Sequence, residues 1–226
     1  MRLLLLPLLL ALTPAGPCPC PESIGATAGA APLLVVPGAP GRGPSLVACG
    51  YAEPSPHAAI RASEFEVFSC GHKEALLTFG ALQTATLRRH GRSLEITELA
   101  RWPFGNDWRW VDVPLWRYVV TPGTPPSVRK VLLLAPPALS PERIAAVLQE
   151  YAEALGSGGV SLKTEDLIGR VFAAALAGDP NARTALAEMR ETLALDGASA
   201  EVWKQAFGTY QLYARLTQKV PIIPGV

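Results

Sequence analysis

The stretch VLLLAPPALSPERIAAVL, residues 131–148, decides the fold because the apolar pattern changes within it. Before Pro136-Pro137 the apolar residues form short alternating or continuous runs, which are typical of strands. After it, Ser140 is suited to an N-cap, Pro141 to the first helical position, and apolar residues recur at helical spacing. The sequence therefore predicts an α+β fold, with an N-terminal antiparallel β-rich part followed by a C-terminal bundle of about four helices.

The predicted helical domain covers residues 140–220. Each predicted helix carries an apolar stripe, and each large apolar side chain that it buries would contribute about 1.5–3 kcal/mol. Four helices of this length either close a small bundle or cap a sheet. The four helices are expected to begin at residues that can act as caps or first-turn residues, namely Ser140, Thr164, Asp179 and Ser199.

The predicted β-rich domain covers residues 45–135 and contains five to seven short strands with no helical period between them. Its clearest hairpin joins residues 84–87 to residues 94–99 through a polar turn that contains Gly91. The composition of residues 128–134 predicts a strand that is buried on both faces.

Residues 1–16 have the composition of a secretory signal peptide. A basic start precedes an apolar run from Leu3 to Leu12, and small residues follow it. A run of ten is too short to span a bilayer, which takes about 20 residues. The alternative is a buried N-terminal helix or strand, although Pro7 inside the run argues against it. We therefore expect an exported protein, periplasmic, in the cell envelope or extracellular, with no membrane span in the mature chain.

Residues 17–44 are rich in Pro, Gly and Ala, which indicates a flexible or extended lead-in. Within it, residues 33–36 form one apolar island that could dock as an edge strand. Cys18 and Cys20 come soon after the predicted cleavage point, but Pro precedes each of them, where a lipoprotein signal normally has a small residue. Lipid modification of either cysteine is therefore not expected.

The chain has four cysteines, and four cysteines in an exported chain suggest disulfides with three possible connectivities. A bond from Cys18 to Cys20 would close a strained ring, so the preferred pair is Cys49 with Cys70. Buried free thiols are one alternative. A zinc site is another, but its ligand spacing would be unusual, so no metal is predicted. Its ligands would be Cys18, Cys20, Cys70 and His72.

The charge distribution argues against nucleic-acid binding. The chain has 20 basic and 19 acidic residues, and its longest basic run is Arg88-Arg89, so it lacks the basic stripe that displaces counterions from a phosphate backbone. It also contains no phosphate-binding loop, nucleophile elbow or zinc-protease helix. No cofactor is predicted, and an enzyme is less expected than a binding protein.

A Trp-rich segment is the most distinctive feature, because four of the five Trp residues lie within residues 102–116. If residues 108–120 form one strand, the pleat sorts its side chains between two faces, with Val113 and Leu115 on the apolar one. The other face then carries Trp108, Trp110, Asp112, Trp116 and Tyr118. The aromatic face either packs under the helices or forms a platform for a sugar ring or a partner's side chain. The candidate ligand-binding residues are Trp102, Asp107, Trp108, Trp110, Trp116 and Tyr118.

Two functions are consistent with these features. The first is a non-enzymatic exported protein that binds a protein partner or a cell-surface polymer. The alternative is a secreted hydrolase of cell-wall or polysaccharide substrates that uses Glu64, Glu66 or Asp107 beside the Trp rings. Carboxyls that converge in a cleft beside Trp108 and Trp110 would favour the hydrolase. No ligand, substrate or oligomeric state follows from the sequence.

Overall fold

The computed structural model describes residues 18–21, 31–38, 45–53, 59–157 and 163–223. Within these ranges the strands come first along the chain and the α-helices follow, so the predicted α+β fold is confirmed. The predicted signal peptide, residues 1–16, lies outside the described residues, and so does most of the predicted lead-in.

The described residues form one antiparallel sheet of seven strands, hydrogen-bonded in the order of the chain. Among the strands that the structure describes, the first and the last are therefore the two edges of the sheet. The strands are β1 Ala31–Val36, β2 Leu46–Glu53, β3 Ile60–Ser69, β4 Ala75–His90, β5 Ser93–Trp102, β6 Val111–Thr121 and β7 Ser127–Leu132.

Two local predictions about the sheet are confirmed and one is wrong. The island at residues 33–36 lies in edge strand β1, and Gly91, at φ 59°, turns the chain between β4 and β5. The prediction that residues 128–134 form a strand buried on both faces is wrong, because the first four residues of β7 are exposed. Those four include Arg129 and Lys130, and such cations at a sheet edge discourage pairing with another chain.

The predicted bundle of four helices is also confirmed. Ser140 and Asp179 act as N-caps, since their side chains accept hydrogen bonds from the backbone N–H groups of Arg143 and Ala182. In both cases a proline stands at the start of the helix, as expected. The helices are α1 Pro141–Gly156, α2 Thr164–Leu176, α3 Pro180–Thr192 and α4 Gly197–Thr217.

The contacts group the chain into two compact units. The sheet unit contains the described residues up to Thr97, together with Tyr118–Lys130. The helical unit contains Glu98–Arg117 and the described residues from Val131 onward. The grouping thus assigns the Trp-rich segment to the helical unit, whereas the sequence analysis places it in the β-rich domain at residues 45–135.

The reason for this assignment is that the apolar side chains of the segment pack into the helical core. Trp102 is buried there with its ring centroid 4.7 Å from that of Phe172, and Val113 and Leu115 pack against the same core. Helix α2 lies at the centre, because all its residues from Leu167 to Leu176 except Arg170 are buried. The sequence alone shows which residues are apolar but not which of two cores each one joins.

The four cysteines form disulfides between Cys18 and Cys70 and between Cys20 and Cys49, with Cα–Cα distances of 5.6 and 5.8 Å. The predicted pair of Cys49 with Cys70 is therefore wrong. In the register of β2 with β3, Cys49 lies opposite Glu66. That position is four residues from Cys70, or about 13 Å along the strand, which is far beyond the reach of a disulfide.

The disulfides exclude the other chemical states considered for these cysteines. A sulfur in a disulfide is neither a free thiol nor a zinc thiolate, and it cannot carry a lipid thioether. Two disulfides indicate an oxidising, exported compartment. No helix in the described ranges has the length and apolar character needed to cross a bilayer.

The first prediction concerns the disulfide map. Trypsin cleaves after Arg42, Arg61 and Lys73, which separates Cys49, Cys70 and the Cys18–Cys20 segment into three peptides. We expect all three peptides to migrate as one species in a non-reduced digest, because each bond joins the N-terminal peptide to a different partner. Mass spectrometry with fragmentation inside the N-terminal peptide checks the pairing. A species with only the Cys49 and Cys70 peptides would contradict the structure.

The second prediction concerns Gly169 in α2, where an added Cβ would lie 2.6 Å from the ring carbons of Pro103. Gly169→Ala should lower the free energy of unfolding by about 1–3 kcal/mol, since the added methyl overpacks the contact. Gly208 in α4 is the matched control, because its Cβ would meet nothing within 4 Å.

Gly208→Ala should instead raise the free energy of unfolding by about 0.5–1 kcal/mol through helix propensity. Urea titration of the two variants measures both changes. An equal increase in the free energy of unfolding of the two variants would contradict the close packing of Pro103 on α2.

Candidate functional site

A tight turn at residues 105–110, called here the tryptophan turn, carries Trp108 and Trp110. The N–H of Gly105 donates to the carbonyl oxygen of Arg109 at 3.0 Å, and the N–H of Arg109 donates to the carbonyl oxygen of Asn106 at 3.2 Å. A Cβ at Gly105 would lie 2.9 Å from the same Arg109 oxygen, so the turn closes this tightly only with glycine there. These bonds fix the path of the backbone from the end of β5 to the start of β6.

The centre of the turn is strained. Asp107 and Trp108 are successive non-glycine residues in the left-handed region, at φ 53° and 57°. This conformation costs roughly 1–2 kcal/mol for each such residue. Strain of this kind persists only where the surrounding structure imposes it, and it clusters at functional sites. The turn is therefore held in place by contacts outside its own backbone.

The turn corrects the predicted strand over residues 108–120. Strand β6 begins at Val111, so Trp108 and Trp110 precede the strand and do not share its alternation. Pro114 lies inside β6, which continues without interruption to Thr121. The predicted single aromatic face is wrong because two left-handed residues redirect the chain before the strand starts.

Arg143 in the first turn of α1 holds Trp108. Its guanidinium carbon lies 4.4 Å from the centroid of the indole ring, and its Nη2 donates to the carbonyl oxygen of Gly105 at 3.4 Å. A cation over a partly exposed Trp ring contributes about 0.5–1 kcal/mol. Trp108 also packs against the helical core and remains partly exposed.

Asp166 in the first turn of α2 holds Trp110. The indole Nε1 donates to Oδ1 of Asp166 at 2.7 Å, a short hydrogen bond to an ionised acceptor. The Trp110 ring is partly exposed. Each indole of the turn is thus fixed by one charged residue from the start of a helix, while part of its ring stays accessible.

The tryptophan turn also carries exposed polar residues. Asn106, Asp107 and Arg109 are exposed members of the same turn. In the first turn of α1, hydrogen bonds from the Ser140 side chain and from its own backbone N–H lower the pKa of Glu142. An indole face can stack against an apolar surface of a ligand, while amide, carboxylate and guanidinium groups of the same turn can form hydrogen bonds with polar groups at the edge of that surface.

The structure does not bring all the predicted site residues together. Trp102 is 1% exposed in the helical core, so it cannot contact a ligand there. Tyr118 is 8% exposed and belongs to the sheet unit, where it packs edge-on against Phe79 with Lys130 over its ring. Trp116 in β6 is partly exposed. Asp107, Trp108 and Trp110 are the predicted residues that share the turn.

The carboxyls proposed for a hydrolase are divided between the units. Glu64 and Glu66 lie in the sheet unit and Asp107 in the helical unit. The pairing of β3 with its neighbours skips Glu64, which has φ 52°, so this residue forms a bulge that interrupts the regular alternation of the strand before Glu66. Glu66 accepts a hydrogen bond from the hydroxyl of Thr78 at 3.2 Å.

Arg143 and Asp166 are not among the site residues predicted from the sequence. A detectable signal existed for Arg143, since a cation in the first turn of a helix opposes the helix dipole and calls for a compensating partner. No such signal existed for Asp166, because an acidic residue is favoured at that position in any helix. Its pairing with an indole 56 residues away depends on the fold.

Comparison with protein-family models, curated proteins and solved structures gives no match for this chain. A functional assignment therefore has to come from the site and not from a relative. The fold class by itself assigns no function, because one fold supports many activities.

The third prediction concerns the accessibility of the Trp residues to iodide. Trp102 and Trp203 are 1% and 4% exposed, whereas Trp108 and Trp110 are partly exposed. Trp108→Phe and Trp110→Phe should each lower the fraction of fluorescence that iodide quenches. Trp203→Phe is the matched control and should raise that fraction, because it removes shielded emission. Quenching that is unchanged in both turn variants would show that the turn is covered.

Proposed function

We propose that this chain is an exported, non-enzymatic binding protein whose tryptophan turn contacts a cell-surface carbohydrate polymer. The observation that carries the proposal is the fixation of two partly exposed indoles, Trp108 by Arg143 and Trp110 by Asp166. Rings that are oriented before binding lose little freedom when a ligand arrives, which improves affinity.

The chemistry of the turn suits a sugar. The apolar C–H face of a pyranose ring can stack on an indole, while the ring hydroxyls need hydrogen-bonding groups at its edge. Asn106, Asp107 and Arg109 supply an amide, a carboxylate and a guanidinium within the same turn. The backbone strain at Asp107 and Trp108 supports a functional role, since a relaxed turn would be more stable.

Export is supported by two independent features. The two disulfides indicate an oxidising compartment, and residues 1–16 have the composition of a cleavable signal peptide. We propose that the leader is removed and that the mature chain works in the periplasm, in the cell envelope or outside the cell, where polysaccharides are accessible.

The hydrolase remains an alternative proposal. Asp107 is the predicted acid that lies in the tryptophan turn, and Asp166 already accepts the indole N–H of Trp110. A hydrolase would need a second carboxyl placed for catalysis beside the rings. Release of reducing sugars from a bound polysaccharide, lost in Asp107→Asn, would favour this alternative over simple binding.

The fourth prediction tests binding. The mature chain should co-sediment with insoluble cell-wall polysaccharides, with chitin, cellulose and peptidoglycan sacculi as probes. Trp108→Ala and Trp110→Ala should each weaken the affinity by about tenfold or more, as truncation of a central aromatic contact does. Lys204→Ala is the control, because this side chain is 74% exposed on α4 and pairs only at 3.8 Å with Glu201.

Asp107→Gly adds a second test of the same site. Glycine adopts the left-handed conformation at little cost, so the variant should be as stable as the parent or more stable. It also lacks the carboxylate, so binding should weaken. A polysaccharide that binds the parent and all the turn variants equally would refute the proposed site, and binding only to an envelope protein would replace the polymer with a protein partner.

A further inference from the structure

The sheet unit contains a cavity of about 580 Å³ next to the two disulfides, called here the disulfide cavity. This volume lies within the usual range for sites that take small organic molecules. The cavity is formed by residues 19–21, by β2 and by the end of β3 with the turn that follows it. It shares no residue with the tryptophan turn, so a ligand here would be a separate activity.

Most of the cavity wall is apolar. Val47 and Phe68 contribute to it from neighbouring strands, and Pro19 and Pro21 contribute from the N-terminal segment. Both disulfides also reach it, one through Cys20 and the other through Cys70. A wall of this kind favours an aliphatic body over a sugar or a nucleotide.

One buried polar group on the wall lacks a partner. The side-chain hydroxyl of Ser69 is buried and forms no hydrogen bond among the residues that the structure describes. The backbone of the same residue is satisfied, since its carbonyl oxygen accepts from the N–H of His72 at 2.9 Å. Buried hydroxyls are normally hydrogen-bonded, so this one is suited to donate to a ligand oxygen.

Positive charge lies at the same cavity. Lys73 and His72 line it and are exposed, and within the described ranges Lys73 has no ion-pair partner. An exposed ammonium next to an apolar cavity attracts an anionic head group. The hydroxyl and the ammonium both act as donors, and a carboxylate accepts from both.

We propose that the disulfide cavity binds an aliphatic monocarboxylate, of which a medium-chain fatty acid is the simplest example. The alkyl chain packs against the accessible part of the wall, which is formed by Pro19, Pro21 and the disulfide cysteines Cys20 and Cys70. The carboxylate accepts hydrogen bonds from the Ser69 hydroxyl and the Lys73 ammonium. Carrying such a molecule suits an exported protein, because free fatty acids are poorly soluble in water.

Isothermal titration calorimetry of the full mature chain, with its disulfides intact, tests this proposal. The probe is sodium decanoate below its critical micelle concentration. We expect one decanoate for each chain. The neutral decanol and the cationic decyltrimethylammonium ion should bind at least about tenfold more weakly, because a hydrogen bond to a charged group is lost or replaced by repulsion.

Two variants locate the site. Lys73→Gln and Ser69→Ala should each weaken decanoate binding by about tenfold. Lys73 is exposed, so its variant keeps the fold even where a change at the buried Ser69 affects stability. Lys219→Gln is the charge-matched control, since this exposed lysine lies in the helical unit, and its affinity should equal that of the parent.

Equal affinities for decanol and decanoate would overturn the proposal, since the cavity would then bind the alkyl chain through apolar contacts without recognising the carboxylate. The proposal also fails where Lys73→Gln binds like the parent, or where no heat is seen with any probe. None of these outcomes bears on the tryptophan turn, because Trp108→Ala and Trp110→Ala should leave decanoate binding unchanged.

Discussion

The packing of Trp102 and Pro103 against helix α2 is the contact on which the helical unit and its candidate site depend. Trp102 lies against Phe172, and Pro103 fits a space that exists only because residue 169 has no side chain. This contact fixes the end of β5 against α2 immediately before the tryptophan turn begins. The tryptophan turn connects this fixed point to Val111, where β6 starts, and it contains the two left-handed residues, whose strain the surrounding contacts have to offset.

The positions of the two indoles also depend on two charged residues. Arg143 and Asp166 each lie in the first turn of a helix, and each contacts one indole of the tryptophan turn. Asp166 is favoured there by the helix dipole, but Arg143 is not. The cost of the arginine is offset by its contact with the Trp108 ring and with the carbonyl of Gly105. A residue kept where helix electrostatics disfavour it has a role outside the helix.

The sequence predicts those parts of the fold that depend on local chemistry. Caps such as Ser140 and Asp179, the helical periodicity and the turn at Gly91 were sufficient for the four helices and the central hairpin. Features that depend on the register of distant segments could not be predicted. The pairing of β2 with β3 keeps Cys49 from Cys70, and the left-handed pair at Asp107 and Trp108 separates two indoles from the strand. Alternation assumes a regular strand, and it fails where the backbone leaves that geometry.

Different interactions stabilise the candidate sites of the two units. In the sheet unit, the register leaves Cys49 and Cys70 too far apart to bond to each other, so each bonds to the short segment at residues 18–20. That segment supplies Pro19 and Cys20 to one side of the disulfide cavity, and the two disulfides hold it next to β2 and the end of β3. The tryptophan turn contains no cysteine and depends on apolar packing and two charged contacts. The site proposed for an aliphatic carboxylate therefore depends on disulfides, which persist in an oxidising compartment, whereas the site proposed for a polymer does not.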